Sequence, residues 1–194
     1  MSVKLAICGR MRSGKDAVAA HLTQQYGFVR FAFGDGIRKV CRELFPDQMA
    51  DGPGGVKRKP RALLQGVGQA MRAFDPDVWV RQTLEEIAYQ AEEDEITGNA
   101  PRYVITDLRQ PSEYDRLRSE GFVIIRVTCR EDIRRQRMLD AGDTFDERDL
   151  THETELHTDG FEVDFEIENN GTLAELYAKV DAVMAEIIAK GSDE

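Results

Sequence analysis

The chain has 194 residues, 41% hydrophobic and 32% charged, enough apolar material for a sizeable core in a single domain spanning 1–194. Lys and Arg total 26 against 36 Asp and Glu, a formal net charge of −10. That balance argues against nonspecific binding to nucleic acid, which needs clustered cations, and no apolar run reaches the roughly 20 residues of a membrane span. Small anionic substrates stay compatible with it wherever a few arginines gather in a cleft.

The N-terminus enters a strand, Val3–Cys8, with no apolar leader before it, which predicts a cytoplasmic protein without a signal peptide. A helix follows at Lys15–Gln25, then a strand at Phe28–Phe33 and a helix at Gly36–Leu44. The stretch 46–60 holds Pro53, Gly54 and Gly55, then four basic residues among Lys57–Arg61, and reads as a mobile loop. Helices at Ala62–Ala73 and Asp77–Glu93 come next, with Trp79 as a core anchor and Glu92–Glu95 as a solvated helix end. The strand Tyr103–Thr106, the helix Ser112–Glu120, the strand Phe122–Thr128 and the helix Glu131–Ala141 follow in turn. After the polar segment Gly142–Gly160, a short strand Phe165–Ile167 leads to the last helix. There Leu173, Leu176, Tyr177, Val180, Val183, Met184, Ile187 and Ile188 recur at helical spacing, and Thr172 with Glu175 fits a capping box.

Short buried strands alternating with helices predict an α/β fold: a parallel sheet of about five strands, helices on both faces, and ligands outside the strands' carboxyl ends. The three cysteines Cys8, Cys41 and Cys129 lack metal-ligand spacing and read as reduced thiols, Cys8 and Cys129 within strands. His21 on the first helix reads as a packing residue. His152-x-x-Glu155 alone is a poor metal motif.

The motif with the most chemical content is Gly9-Arg10-Met11-Arg12-Ser13-Gly14-Lys15-Asp16. Its G-x-x-x-x-G-K spacing, between a strand and a helix, is that of a phosphate-binding P-loop. Glycines let successive N–H groups converge on phosphate oxygens, Lys15 adds a positive charge, and the helix points its positive dipole end at the site. The last position is Asp16 where a hydroxyl is usual. Its carboxylate either coordinates a metal or pairs with an arginine.

Phosphoryl transfer asks for cations around the moving group, a metal clamp and exclusion of water. Arg109 follows the strand Tyr103–Thr106 at the carboxyl edge of the sheet. Arg130 follows the strand Phe122–Thr128, and Arg134 and Arg137 share a helix face that could project toward the P-loop. Asp107 stands where a carboxylate would serve a magnesium shell or cap a helix. Asp35, in Phe33-Gly34-Asp35-Gly36, would orient a substrate group or cap the helix after it.

Assembled, the chain resembles the phage-type deoxynucleoside monophosphate kinases, a branch of the P-loop kinases. The sharpest match is Arg12-Ser13-Gly14-Lys15-Asp16, since that family also carries Asp after the lysine. Phe33-Gly34-Asp35-Gly36-Ile37-Arg38 is similar to the family's F-A-D-P-L-K, with glycines replacing Ala and Pro. Leu63-Leu64-Gln65 with Gly68, Trp79-Val80, Asp107-Leu108-Arg109 with Glu113, His152–Glu155 (Thr154 replacing Ser) and Asn169-Asn170-Gly171-Thr172-Leu173 continue the resemblance.

The resemblance implies a three-layer P-loop kinase fold with a lid over 130–160. It also implies transfer of the γ-phosphate of ATP, with Mg2+, to a deoxynucleoside 5′-monophosphate in a bacterial or phage-infected host cytosol. Gly9, Arg10, Met11, Arg12, Ser13, Gly14, Lys15 and Asp16 would hold the ATP phosphates, and Asn170 with Gly171 the adenine side. Asp35, Arg38, Arg72 and Arg109 would surround the monophosphate. Lys15, Arg109, Arg130 and Arg134 would act on the transferred group, and Asp16 and Asp107 on the metal. The partners are then small molecules, with neither nucleic-acid polymer nor membrane, and the long Asp77–Glu93 helix could bury a homodimer face. Animal-type phosphomevalonate kinases share S-G-K-D, which leaves another phosphorylated acceptor open. A noncatalytic nucleotide switch is the other alternative, although no N-K-x-D segment occurs.

Overall fold

A computed structural model describes residues 3–52, 60–141 and 157–192. Five strands form one sheet in which every adjacent pair is parallel: β1 (Val3–Cys8), β2 (Val29–Phe31), β3 (Arg102–Leu108), β4 (Val123–Thr128) and β5 (Phe165–Glu168), in the order β2-β3-β1-β4-β5. The connections are helical: α1 (Lys15–Tyr26), α2 (Phe33–Leu44), α3 (Pro46–Met49), α4 (Arg61–Phe74), α5 (Val78–Thr97), α6 (Pro111–Ser119), α7 (Glu131–Asp140) and, after β5, α8 (Leu173–Ser192). The sheet is parallel with helices on both faces, as the alternation predicts.

Side-chain alternation along β1 divides the core. Val3, Leu5 and Ile7 pack on one face against α1 and α8 through Val18, Leu22, Leu176, Val180 and Met184. Ala6 and Cys8 face the other way, against Phe33 of α2, Trp79, Val80 and Ile87 of α5, and Leu117 of α6. The predicted stripe on α8 is buried at Leu176, Val180, Met184 and Ile187, whereas Leu173 and Ile188 lie at the solvent. His21 packs as expected: its ring stacks on Tyr177 at 4.2 Å, and Nε2 lies 2.6 Å from Asp181 Oδ1.

Several expected boundaries move. The strand at Phe28–Phe33 shrinks to β2, because Phe33 already opens α2, three residues before the predicted start. The 46–60 stretch contains the short α3, and 53–59 lie outside the described residues. Cys129 lies beyond the end of β4 and is half-buried.

The acidic end of α5 is not wholly solvated. Asp94 turns inward, where it accepts the Tyr103 hydroxyl at 2.9 Å and Gln90 Nε2 at 3.3 Å. Burial, and then the Asp94 carboxylate, push the Tyr103 phenol up to about 12. The folded phenol thus holds its proton more tightly than the unfolded one, so its share of stability falls as pH rises from the ordinary 10 toward 12. Tyr103→Phe leaves Asp94 short of a donor and should cost about 1–3 kcal/mol, read as a lower urea midpoint at unchanged m. The pH-dependent loss above 10 should shrink in the same variant.

Cys8 is fully buried, and burial pushes its thiol up to about 11 despite the nearby Arg126 and Lys15 charges. The thiolate is the reactive form. Iodoacetamide should therefore leave Cys8 unmodified in the native protein and alkylate it after unfolding, as read by peptide mass spectrometry.

Candidate functional site

All five strands end at one edge, and the residues of the candidate site follow or close a strand there, except Arg72, which α4 brings in. After β1 the chain makes a tight loop. Gly9 (φ +135°) and Gly14 (φ +109°) take left-handed conformations, and a side chain at either would overlap the Val127 carbonyl or the Asn169 amide. Arg12 adopts φ +61°, uncommon for a residue with a Cβ. α1 starts directly after Gly14, so the loop closes on a helix N-terminus.

The Lys15 ammonium is buried and folds back over the loop, donating to Gly9 O at 2.6 Å and Arg10 O at 2.7 Å. Asp16 stands exposed on the first turn of α1. Among the described residues its carboxylate has no ion pair, and so no arginine partner there. Ser13 is buried, and its hydroxyl has no hydrogen-bond partner among the described residues.

α7 and the turn after β5 close one side of the loop. Arg134 is buried and donates from Nε to Met11 O at 2.8 Å. Arg137 donates to Arg12 O at 3.5 Å and to Asn169 O and Oδ1 at 3.2 and 3.3 Å. Both arginines do reach the P-loop, but they bond to its carbonyls. Arg130 differs: its guanidinium pairs with Asp132 and is 64% exposed, while its backbone N–H donates to Asn170 Oδ1 at 2.8 Å. Asn170 Nδ2 reaches Glu168 at 2.5 Å. Gly171 precedes the capping box, in which Thr172 N donates to Glu175 at 2.7 Å and Glu175 N donates to Thr172 Oγ1 at 3.2 Å. Arg10 forms an ion pair with Asp159. Residues 142–156, with His152 and Glu155 and about half of the expected lid, lie outside the described residues.

Sequence reasoning named Asn169 within a motif but gave it no role. Its side chain is buried and donates from Nδ2 to Ser13 O at 2.8 Å. Its backbone N–H donates to Thr128 O at 2.8 Å, so it closes the β4–β5 pairing. The signal available was its place at a strand end before a capping box.

On the other side of the loop, β3 organises a second cluster. Its ladder with β1 pairs Ala6 with Ile105 and Cys8 with Leu108, so β3 carries one extra residue between them. Asp107 lies in this bulge and accepts the N–H groups of Phe33 and Gly34, both at 2.9 Å. It thereby caps α2, the helix-cap reading left open by the sequence. Burial pushes the Asp107 carboxyl up, opposed by those two N–H groups and Arg109. Asp35 is no cap. It lies within the first turn of α2 and pairs with Arg38 at 2.7 Å and Arg30 at 3.0 Å.

Glu113, two residues into α6, is almost wholly buried. Oε2 accepts the N–H groups of Arg109 and Gln110 at 3.0 and 2.9 Å, and Oε1 pairs with Arg72 of α4 at 3.1 Å. Burial also pushes this carboxyl up, against the pull of those N–H groups and Arg72. Two carboxylates from β3 and α6 thus fix the elements that carry Asp35, Arg38, Arg72 and Arg109. No group of three or more His, Cys, Asp or Glu suited to a metal occurs among the described residues. No described helix is long and apolar enough to cross a membrane.

Comparison with known proteins gives relatives consistent with this frame. The family described as AAA domain matches residues 5–157. Among curated proteins, the uncharacterized protein ORF76 of Ictalurid herpesvirus 1 (strain Auburn) is 32% identical over 83 residues. That match covers 42% of this chain and 32% of the relative, so the chain spans about a third of that relative's length. Among solved structures, TT1252 from Thermus thermophilus is 22% identical with a TM-score of 0.59, covering 95% of this chain and 97% of its own. Shikimate kinase from Aquifex aeolicus vf5 is 13% identical with a TM-score of 0.54, covering 99% of this chain and 100% of its own. At these identities the two structures are similar to this chain in fold.

Proposed function

The chain belongs to the AAA-domain family, and from that premise we propose that it transfers the γ-phosphate of ATP to a deoxynucleoside 5′-monophosphate. The observation that carries this reading is the second cationic cluster. Arg38, Arg72 and Arg109 gather at the end of β3, the strand paired with β1 just before the P-loop, on elements pinned by Asp107 and Glu113. A switch that only binds nucleotide has no use for it, whereas a kinase with an anionic acceptor does.

In this reading the P-loop N–H groups and Lys15 bind the ATP phosphates, and Lys15 balances charge as the phosphoryl group moves. Asp16, an exposed carboxylate without an ion pair among the described residues, fits a Mg2+ ion, which takes one or two carboxylates plus phosphate oxygens. Mg2+ held there would neutralise negative charge on the phosphates during transfer. Arg72 and Arg109 grip the acceptor phosphate, and Asp35 with Arg38 lies at the rim of the acceptor side. The transfer is in-line and forms no covalent enzyme intermediate. Asn170 and Gly171 flank the adenine.

A coupled ATP assay over the four deoxynucleoside monophosphates, their ribose counterparts and phosphomevalonate tests the proposal. Turnover of one or more deoxynucleoside monophosphates is the expected result. Turnover of phosphomevalonate alone would move the activity to another acceptor class. If no acceptor turned over while Lys15→Ala abolished a partner interaction, the protein would be a switch.

A further inference from the structure

The P-loop is held from outside as well as formed from within. Five consecutive carbonyls, Gly9 to Ser13, each accept a side-chain donor. Lys15 serves Gly9 O and Arg10 O, Arg134 serves Met11 O, Arg137 serves Arg12 O and Asn169 serves Ser13 O. An unpaired loop carbonyl near a phosphate would repel it, and a loop free to rotate its peptides would lose the convergence of its N–H groups. Arg12 is held in a left-handed conformation, and the Asn169 amide packs directly against Gly14.

We infer that Asn169 and Arg137 are positioning residues for the phosphate-binding loop: Asn169 ties Ser13 O to the β5–α8 turn, and Arg137 ties Arg12 O to Asn169. Neither touches phosphate in this role. Arg137 bonds both Asn169 oxygens and the loop, so the two side chains act as one clamp between α7, the turn before α8 and the P-loop. The clamp orders the loop before ligand arrives, which lowers the entropy cost of binding polyphosphate. The assignment rests on the phosphate-binding reading of the loop and is independent of the acceptor.

Three variants test it. Asn169→Asp keeps the shape and the oxygen that meets Arg137, but sets a carboxylate oxygen against Ser13 O. Arg137→Lys keeps the charge and removes the fork that spans Arg12 O and Asn169. Calorimetric titration with inorganic tripolyphosphate in Mg2+, with Arg109→Ala as the background that removes acceptor-side binding, reads the loop without a nucleoside. Wild-type protein should bind it, and each variant should bind roughly tenfold or more weakly. Circular dichroism should show all three variants folded, and the thermal midpoint should be recorded alongside. In the steady state KM for ATP should rise while KM for the acceptor stays unchanged, a split that general loss of stability would not produce. Arg137→Ala should regain part of its tripolyphosphate affinity in guanidinium chloride at subdenaturing concentration.

Unchanged tripolyphosphate affinity in folded variants would overturn the clamp and leave the kinase reading standing. So would an equal rise in both KM values. Weakened tripolyphosphate binding in a protein that phosphorylates no acceptor would uphold the clamp and defeat the kinase reading. If Asn169→Asp does not fold, Arg137→Lys decides alone. Absence of tripolyphosphate binding by the wild type would overturn both.

Discussion

Replacing Lys15 with alanine should lower the rate of phosphoryl transfer by a factor on the order of 10³ or more. The ammonium is the buried cation at the centre of the loop, and the transfer gathers charge where no water can screen it. The same substitution strips the donor from Gly9 O and Arg10 O, so the empty loop should also loosen. Lys15→Arg separates the two effects. It keeps the charge, but its wider planar group does not fit the space between two carbonyls 2.6 and 2.7 Å from Nζ. Its turnover should therefore stay far below wild type. Rapid-quench measurement of a single turnover with saturating ATP gives the chemical step directly. A wild-type rate in Lys15→Ala would remove Lys15 from the reaction.

Glu113→Ala should be the most damaging substitution for stability, costing about 3–5 kcal/mol. One buried carboxylate serves two backbone donors and the Arg72 guanidinium, and alanine leaves all three without it. Glu113→Gln keeps an oxygen for the two N–H groups and should lose less. Burial raises the Glu113 pKa, so the folded state takes up its proton before the unfolded state does. Its contribution to stability therefore declines as pH climbs from the ordinary carboxylate range through the raised folded value, and Glu113→Gln should abolish that decline. Urea unfolding across this pH window measures both effects. In both variants the KM for the acceptor should rise more than that for ATP, because Arg72 and the Arg109 turn lose their common anchor. A selective rise for ATP would contradict the division of the site.

Much of this was readable along the chain. β1 and the loop after it follow from an apolar run and two glycines at fixed spacing, because both are local. The Thr172–Glu175 capping box and the Trp79 anchor are local too, and both stand where periodicity put them; Trp79 Nε1 donates to Gly68 O at 3.2 Å. What escaped depends on partners far along the chain. Asp107 caps a helix that begins 74 residues earlier, and Asn169 meets Ser13 across 156 residues. Periodicity also could not show that Asp94 turns inward, because its partner Tyr103 lies on the next strand. Arg134 and Arg137 were placed correctly on a helix face turned to the loop. A sequence does not distinguish an arginine that meets phosphate from one that meets the carbonyl behind it.

The bulge in β3 separates two kinds of constraint. Tyr103, Ile105 and Leu108 all enter the core beneath α2, α5 and α6, although strict alternation would send Leu108 to the opposite face. The extra residue restores Leu108 to that layer and leaves Asp107 as a side chain the sheet does not need for packing. The core therefore needs an inserted residue at this point but not the carboxylate it carries, which serves the mouth of α2 instead. A lineage could retune the residue at 107, and with it the mouth of α2, while the hydrophobic layer beneath stayed as it was.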